Sequence, residues 1–416
     1  MKAVTVNYTI GPHQSTTVGR LVYKDSLSYL ELNDKFIEQQ INLSPLSLTL
    51  EKNLQVAPRT PFNGLHGVFA DSLPDGWGLL LMDRHFRQNK LALSELTPLD
   101  RLCYLGSRTM GALTYEPDLN EQDYKSAPNK YSLDSLAQES LEIITGSKED
   151  ISRQLQVDGG SPGGACPKST IGLHGSKAIS GANDLPPNYE HWLVKFPTGY
   201  SQEKQAEGVI EYIYSIMARD SGINFPQTQL IESDKGPGFF ACKRFDRHAT
   251  NQRRHIHSFA GLINADFRLP DSDYQMLIKA TSHITKCHPD LCEVLRRMIF
   301  NVLSGNRDDH TKNFSFIMEP KGTWRLSPAY DVTFNTGING QHSMSIKGHG
   351  SNIPKTAIAE IASMIPLNEN KLNAIIEEVF ESLSNWQSLA KSYQVPAHLI
   401  REIQSYINTQ YQLLSA

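Results

Sequence analysis

Residues 291–331 are the most informative segment of the chain and read LCEVLRRMIFNVLSGNRDDHTKNFSFIMEPKGTWRLSPAYD. Its first part predicts an amphipathic helix, because apolar residues recur every three or four positions. These residues are Leu291, Val294, Leu295, Met298, Ile299, Val302 and Leu303. Gly305 is a natural end for the helix, since glycine adopts the left-handed conformation that terminates helices. A polar loop (residues 305–313), a hairpin over Phe314–Leu326 and then Asp331 complete the pattern.

This order of elements is typical of the phosphate end of a kinase site. There an Asp accepts the proton of the attacking hydroxyl, an Asn five residues later binds Mg²⁺, and an Asp beyond the hairpin binds it from the other side. Asp308, Asn313 and Asp331 have that spacing here. A solvated turn is the alternative for the polar loop alone, since Asp, Asn and Gly favour turns, but the flanking helix and hairpin favour the kinase interpretation.

The remaining charged residues of the polar loop receive secondary roles. Asp309 competes with Asp308 for the role of base, but the spacing to Asn313 favours Asp308 and leaves Asp309 as a loop or capping group. His310 is expected to brace the loop, and Lys312 is a candidate for neutralising charge on the transferred phosphoryl group.

A kinase also needs a strand lysine for the phosphates and a helix glutamate that positions it. Lys195 ends the apolar strand HWLVKFP and fits the first requirement. The following helix offers both Glu207 and Glu211, which share one face.

Two further segments are candidates for the nucleotide side. The glycine-rich loop (Gly159–Thr170) is not a Walker A motif, because Pro167 has no N–H for a phosphate. It is instead a candidate flap over ATP, in which Gly163 and Gly164 permit the backbone to approach the nucleotide closely. Phe239–Arg247 is a candidate hinge to the adenine, with Lys243, Phe245 and Asp246 as binding residues.

The amino-acid composition indicates the broad class of protein. The chain has 416 residues, 39% hydrophobic and 20% charged, a net charge of −4 and five scattered cysteines. These values predict a soluble, cytoplasmic protein without a disulfide framework, and no stretch is apolar enough to span a membrane. The charge gives no reason for the chain to bind nucleic acid alone. We predict a β-rich module (1–115), a linker (Glu116–Lys130), a nucleotide-binding lobe (130–250) and a mainly helical catalytic lobe (251–416).

The motifs together resemble the HipA family of serine/threonine kinase toxins of bacterial toxin–antitoxin systems. The resemblance rests on FADSLPDGWG, MGAL, SPGGACPK, HWLVKFP, KRFDR, GNRDDHTKN and SPAYD, spread over nearly the whole chain. It implies an α+β, two-lobed fold like that of protein kinases and phosphatidylinositol kinases, with a β-rich amino-terminal module and an all-helical carboxy-terminal lobe.

The resemblance also implies the cofactors and partners. ATP and Mg²⁺ would be held by Lys195, Asn313 and Asp331, with Asp308 as base, and Ser161 matches the autophosphorylation position. The implied substrate is an aminoacyl-tRNA synthetase, and the implied partner is a HipB-like antitoxin that supplies the contact with DNA. Cys166 departs from the arginine or glutamine common in relatives.

Three other interpretations stay open at this stage. A kinase of small molecules or lipids could use the same scaffold, and a kinase-like subunit could act only as a partner of an antitoxin and DNA. A zinc site at His283, Cys287, His288 and Cys292 is the third, but a helix end with incidental residues is simpler.

Overall fold

The computed structural model describes residues 3–119, 132–160, 162–182, 184–248 and 251–415. Most of the predicted linker and all of Ser161 lie outside these residues. Within them, no helix is both long enough and apolar enough to cross a membrane.

The amino-terminal region forms an antiparallel five-stranded sheet in the order β4-β3-β2-β1-β5. Its strands are β1 (Ala3–Gly11), β2 (Gln14–Lys24), β3 (Leu27–Leu32), β4 (Leu54–Val56) and β5 (Leu113–Glu116). The helices of this region are α1 (Asp34–Ile37), α2 (Gly67–Ala70), α3 (Gly76–Gln88) and α4 (Pro98–Leu105), with a 3₁₀ turn at Leu93–Glu95. Alternating residues Val4, Val6 and Tyr8 of β1 are buried, as period-two patterning predicts.

A second antiparallel sheet, in the order β7-β6-β8-β10-β9, carries the glycine-rich loop and Lys195. Its strands are β6 (Lys168–His174), β7 (Lys177–Ser180), β8 (Glu190–Lys195), β9 (Thr228–Ile231) and β10 (Phe239–Lys243). The helices beside it are α5 (Leu133–Ile144), α6 (Arg153–Gly159) and α7 (Gln202–Asp220).

The carboxy-terminal region is mainly helical and contains one small sheet, β11-β12-β13. The strands are β11 (His255–Ser258), β12 (Ser315–Met318) and β13 (Trp324–Leu326). The helices are α8 (Phe259–Ile263), α9 (Tyr274–Thr285), α10 (His288–Ser304), α11 (Lys355–Ala362), α12 (Glu369–Ser384), α13 (Trp386–Ser392) and α14 (Ala397–Ser415), with 3₁₀ turns at Thr311–Asn313 and Ile338–Gly340. The fold class is confirmed, and the predicted hairpin is β12–β13. The third strand, β11, interrupts the expected all-helical lobe and was not predicted.

Two hydrophobic clusters fix the relative positions of these parts. The larger cluster joins the inner face of the first sheet to helices α7, α10 and α12. In the second, Trp77 and Leu81 of α3 pack with Ile171, Trp192 and Val194 of the second sheet. Helix α3 therefore belongs to the amino-terminal region in sequence but lies against the glycine-rich loop in space. The predicted domain boundaries stay a prediction.

Candidate active site

A cleft of about 790 Å³ gathers the predicted site residues. Among the candidates that line it are Gly163, Gly164, Lys195, Glu211, Lys243, Phe245, Asp246, Asp308, His310, Lys312, Asn313 and Asp331, whereas Glu207 and Asp309 do not line it. Residues more than 160 positions apart in sequence meet there. The assigned chemical roles remain proposals, but their shared location satisfies the first requirement of a site.

The polar loop starts where α10 ends. Gly305 adopts φ 74° at the carboxy-terminal cap, and its N–H donates to the Asn301 carbonyl. The side chain of Asp309 then turns inward and accepts hydrogen bonds from the Tyr274 hydroxyl at 2.7 Å and from His342 Nδ1 at 2.9 Å. Asp309 thus fixes the loop from beneath, which agrees with its expected structural role.

Asp308 faces the cleft with half of its side chain exposed. The Asn313 amide nitrogen donates to the Asp308 backbone carbonyl at 2.7 Å, so the two residues are held together. Burial and the nearby Asp331 raise the pKa of Asp308, while His310 acts in the opposite direction. His310 Nδ1 accepts from the Lys312 backbone N–H, and its Nε2 lies 3.9 Å from Asp308 Oδ1. These contacts place His310 where it can brace the loop, and its role stays a prediction.

Asp331 follows the β12–β13 hairpin and adopts a left-handed φ of 56°. Its carboxylate pairs with Lys195. Burial alone would raise the pKa of Asp331, but Lys195 and Lys168 outweigh burial and hold it well below its usual range. Asp331 is thus an ionised carboxylate at the floor of the cleft.

Lys195 is clamped between two carboxylates. Its Nζ lies 2.6 Å from Glu211 Oε1 and also contacts Asp331. Burial lowers the pKa of Lys195, but the two acidic partners outweigh it and raise the pKa above its ordinary value. Glu207 lies one turn earlier on α7 and bonds instead to Thr198 at 2.6 Å and Lys204 at 2.7 Å. Of the two glutamates left open by the sequence, Glu211 is the partner of Lys195.

The substitution Glu211→Gln is expected to weaken binding of a non-hydrolysable ATP analogue by about tenfold or more, because charge-assisted bonds contribute about 1.5–3 kcal/mol. Lys195 would then be drawn toward Asp331 alone. Glu207→Gln is the matched control on the same helix, and its partly exposed pair should change affinity less than about twofold. Isothermal titration calorimetry measures both, and equal losses would contradict the assignment.

Lys168 is a site residue that the sequence analysis missed. It begins β6 directly opposite Lys195 on β8, and it is only 4% exposed. Its Nζ donates to the Gly163 carbonyl at 2.7 Å. The signal was available, since a lysine at the end of the glycine-rich loop also begins an apolar strand.

The KRFDR segment lines the cleft, but its side chains have different partners. Lys243 pairs with Glu190 at 2.5 Å, and the Phe245 ring packs against the ring of Tyr330. Asp246 is buried and paired with two arginines, so its carboxylate is committed to the protein. The hinge role of this segment stays a prediction.

Comparison with known proteins identifies the family of this chain. Residues 13–116 match the HipA N-terminal domain, and residues 160–387 match the HipA-like C-terminal domain, which alone spans more than half of the chain. The chain belongs to the HipA family.

Several relatives place this HipA-family chain in context. The fold resembles HipA of Shewanella oneidensis MR-1, solved with HipB and operator DNA, with a TM-score of 0.67 and 18% identity over 99% of this chain and 96% of that one. "Putative kinase Y4dM" of Sinorhizobium fredii is 28% identical over 52% of this chain. A "Putative kinase" of Haemophilus influenzae is 28% identical over 27% of it. The chain spans 57% and 37% of the lengths of these two curated relatives.

The donor atoms at the cleft floor are of the kind that a magnesium ion binds. Mg²⁺ prefers hard oxygen ligands and takes only one or two from protein. Asn313 uses its amide nitrogen toward Asp308, which leaves its oxygen as the group available to a metal. Asp331 uses Oδ1 toward Lys195, and its second oxygen has no protein hydrogen bond among the described residues.

The candidate zinc residues lie at a junction of two helices, since His288 begins α10 just after Cys287.

The ion cluster of the KRFDR motif gives a prediction about stability. Asp246 binds Arg244 at 2.7 Å, Arg247 at 2.6 Å and the Gly111 N–H at 2.8 Å. Asp246→Asn would remove the negative partner of two buried arginines. We therefore expect the free energy of unfolding at pH 7 to fall by about 3–5 kcal/mol. Asp266→Asn, which affects an exposed pair with Arg268, should cost less than about 1 kcal/mol.

The effect of Asp246→Asn should depend on pH. Burial would raise the pKa of Asp246, but Arg244 and Arg247 outweigh it and hold it well below the usual range. The carboxylate therefore stabilises the fold above the unfolded-state pKa of about 4, and this contribution is lost as the pH falls toward the folded-state pKa. Urea unfolding should show the wild type and Asp246→Asn converging below about pH 4. If the difference in unfolding free energy between the wild type and Asp246→Asn stayed constant down to acid pH, an ionised Asp246 would not be the source of the stabilisation.

Proposed function

We propose that this chain is an ATP- and Mg²⁺-dependent serine/threonine protein kinase of HipA type and the toxin of a toxin–antitoxin pair. The observation that carries the proposal is the convergence of Asp308, Asn313 and Asp331 with the Lys195–Glu211 pair in one cleft. A lysine–glutamate pair, a base and two metal ligands are the parts that phosphoryl transfer needs.

In the proposed reaction, a substrate hydroxyl attacks the γ-phosphorus of ATP. A new oxygen–phosphorus bond forms, the bond from the γ-phosphorus to the bridging oxygen breaks, and ADP leaves with that oxygen. The hydroxyl proton passes to Asp308, whose raised pKa favours its acceptance. Bound Mg²⁺ would neutralise phosphate charge. Lys195 and Lys168 add positive charge along the second sheet, while Lys312 does so from the polar loop.

Family membership supports a protein as the phosphoryl acceptor and a HipB-like antitoxin as the partner. HipA of Shewanella oneidensis was solved with HipB and its operator DNA. By the family resemblance, the substrate is a translation protein such as an aminoacyl-tRNA synthetase. The net charge of −4 supports contact with DNA through the antitoxin rather than directly.

Ser161 is the proposed site of autophosphorylation. It lies outside the described residues, but its neighbours Pro162, Gly163 and Gly164 line the cleft. A phosphate there would add about −1.5 to −2 charge next to a cleft that contains Asp308 and Asp331. Repulsion would then displace the loop and silence the enzyme.

Incubation of the purified chain with labelled ATP and Mg²⁺ tests the proposal. The expected result is label on the wild type that maps to Ser161 and is absent from Ser161→Ala. The Ser161→Ala variant should still phosphorylate an added protein substrate. Absence of phosphoryl transfer to any acceptor, with and without an aminoacyl-tRNA synthetase, would sink it.

Two other functions give different outcomes in the same assay. A kinase of small molecules or lipids would transfer label to those compounds and not to protein. A subunit that acts only with an antitoxin and DNA would bind both and transfer no label. The filled catalytic positions favour a kinase over a subunit without catalysis, and the assay itself separates protein acceptors from small molecules and lipids.

A further inference from the structure

The segment Pro74–Gly78, which leads into helix α3 and includes its first residues, lies directly against the glycine-rich loop and is called the turn below. It belongs to the FADSLPDGWG motif, to which the proposed reaction assigns no role. The Trp77 N–H donates to the Gly164 carbonyl at 3.0 Å, and the Asp75 carboxylate accepts from the Gly164 N–H. Both backbone groups of one loop residue are thus bound by one turn.

Two glycines of the turn make this approach possible. A Cβ on Gly76 would lie 2.6 Å from the Gly164 carbonyl oxygen, and a Cβ on Gly78 would lie 2.8 Å from the Pro162 oxygen. Such distances are shorter than normal van der Waals contact. Any larger residue would therefore push the loop away from the turn.

Asp75 also reaches the polar loop. Its Oδ2 lies 2.7 Å from Lys312 Nζ, and the carboxylate is nearly buried. Burial would raise the pKa of Asp75, but Lys312 and the Gly164 N–H outweigh it and lower the pKa, so the carboxylate stays ionised. One side chain therefore joins the loop expected over the nucleotide to the loop that carries Asp308.

The turn is itself held rigidly from both sides. Trp77 is buried in the core of the second sheet. Three residues before the turn, Asp71 accepts from His257 Nδ1 and from the Ser258 N–H, each at 2.6 Å. A support fixed to two lobes can define the position of a loop between them.

We propose that Pro74–Gly78 is a positioning element that holds the glycine-rich loop closed and couples it, through Asp75, to the polar loop. Its effect on ATP rests on the proposed kinase function, but its hold on the loop does not. Asp75 acts through Gly164 and Lys312 and is therefore a positioning residue, not a catalytic one.

Hydrogen-exchange mass spectrometry of the nucleotide-free full chain tests the hold on the loop. Asp75→Ala should speed exchange in peptides covering residues 163–168 by about tenfold, as expected for the loss of charge-assisted hydrogen bonds. Asp75→Asn keeps an oxygen for the Gly164 N–H but removes the charge facing Lys312, so it should have a smaller effect. Gly78→Ala should also speed exchange in the loop, although alanine favours the helix more than glycine.

Asp83→Ala is the matched control. Asp83 lies on the same helix and pairs with Arg101 at 2.6 Å, away from the cleft lining. It should leave exchange in residues 163–168 at the wild-type rate. Unchanged loop exchange in Asp75→Ala, or faster exchange spread equally through the strands of the first sheet, would overturn the proposal.

Steady-state kinetics separate this proposal from the kinase function. Asp75→Ala should raise the KM for ATP by about tenfold and affect kcat less, because an opened loop weakens nucleotide binding first. Faster loop exchange in a protein without kinase activity would refute the function and retain the positioning role. If the wild type is an active kinase and Asp75→Ala changes neither loop exchange nor the KM for ATP, the positioning role is refuted and the kinase function is retained.

Discussion

Asp308→Asn is expected to lower the rate of phosphoryl transfer by about a thousandfold, within the range for removal of a general base. Asparagine has nearly the same shape, but it cannot accept the hydroxyl proton. Binding of a non-hydrolysable ATP analogue should change little, because the proposed base acts on the acceptor hydroxyl and not on ATP. Single-turnover assays with labelled ATP measure the rate, and calorimetry measures the binding.

Asp309→Asn provides a sharp contrast at the neighbouring position. The Asp309 carboxylate accepts from Tyr274, His342 and the Ser343 N–H, whereas the Asp308 side chain is half exposed. The Asp309 variant should lose about 1–3 kcal/mol of unfolding free energy, because a buried donor loses its acceptor. Asp308→Asn should leave stability unchanged. Near-normal activity in Asp308→Asn would disprove its role as the base.

Asp331→Asn is expected to reduce phosphoryl transfer by about a thousandfold or more, since a charged metal ligand in a nucleotide site contributes several kcal/mol of electrostatic stabilisation. Asparagine is the better replacement than alanine here. Asp331 has a positive φ, and asparagine tolerates that conformation more readily than other residues with a Cβ. The backbone should therefore stay in place while the charge is removed.

Magnesium titration separates this effect from a general defect. Asp331→Asn should require a higher Mg²⁺ concentration for half-maximal binding of ATP, whereas Asp308→Asn should keep the wild-type requirement. Lys195 keeps Glu211 as a partner in the Asp331 variant, so the lysine does not become an unpaired buried charge. Full activity of Asp331→Asn at ordinary Mg²⁺ concentrations would refute its role as a metal ligand.

The polar loop and its flanking elements were predictable because local rules govern them. Helix α10 follows from apolar spacing, and its end follows from Gly305, which adopts the predicted left-handed conformation. The hairpin is short and brings the chain back beside the polar loop, so Asp331 was expected to lie near Asp308 and Asn313. The inward turn of Asp309 also agrees with the expectation drawn from spacing.

The missed features depend on contacts between distant segments. Lys168 and Lys195 meet because β6 and β8 pair in register, and nothing local to either lysine reveals that pairing. Strand β11 is a short segment, and it becomes a strand by pairing with β12. Asp75 likewise precedes a helix and would ordinarily be interpreted as a cap, although its carboxylate binds Gly164 and Lys312 instead.

Local sequence rules account for the order of helices and strands around the polar loop and for the spacing of Asp308, Asn313 and Asp331. The pairing of charges follows instead from the packing of distant segments: Glu211 rather than Glu207 pairs with Lys195, and Asp75 pairs with Lys312 across 237 positions of sequence. The physical reason is that hydrogen bonds between near neighbours shape helices and turns. The energy of a buried charge depends instead on burial and on partners, which come into contact only when distant segments pack.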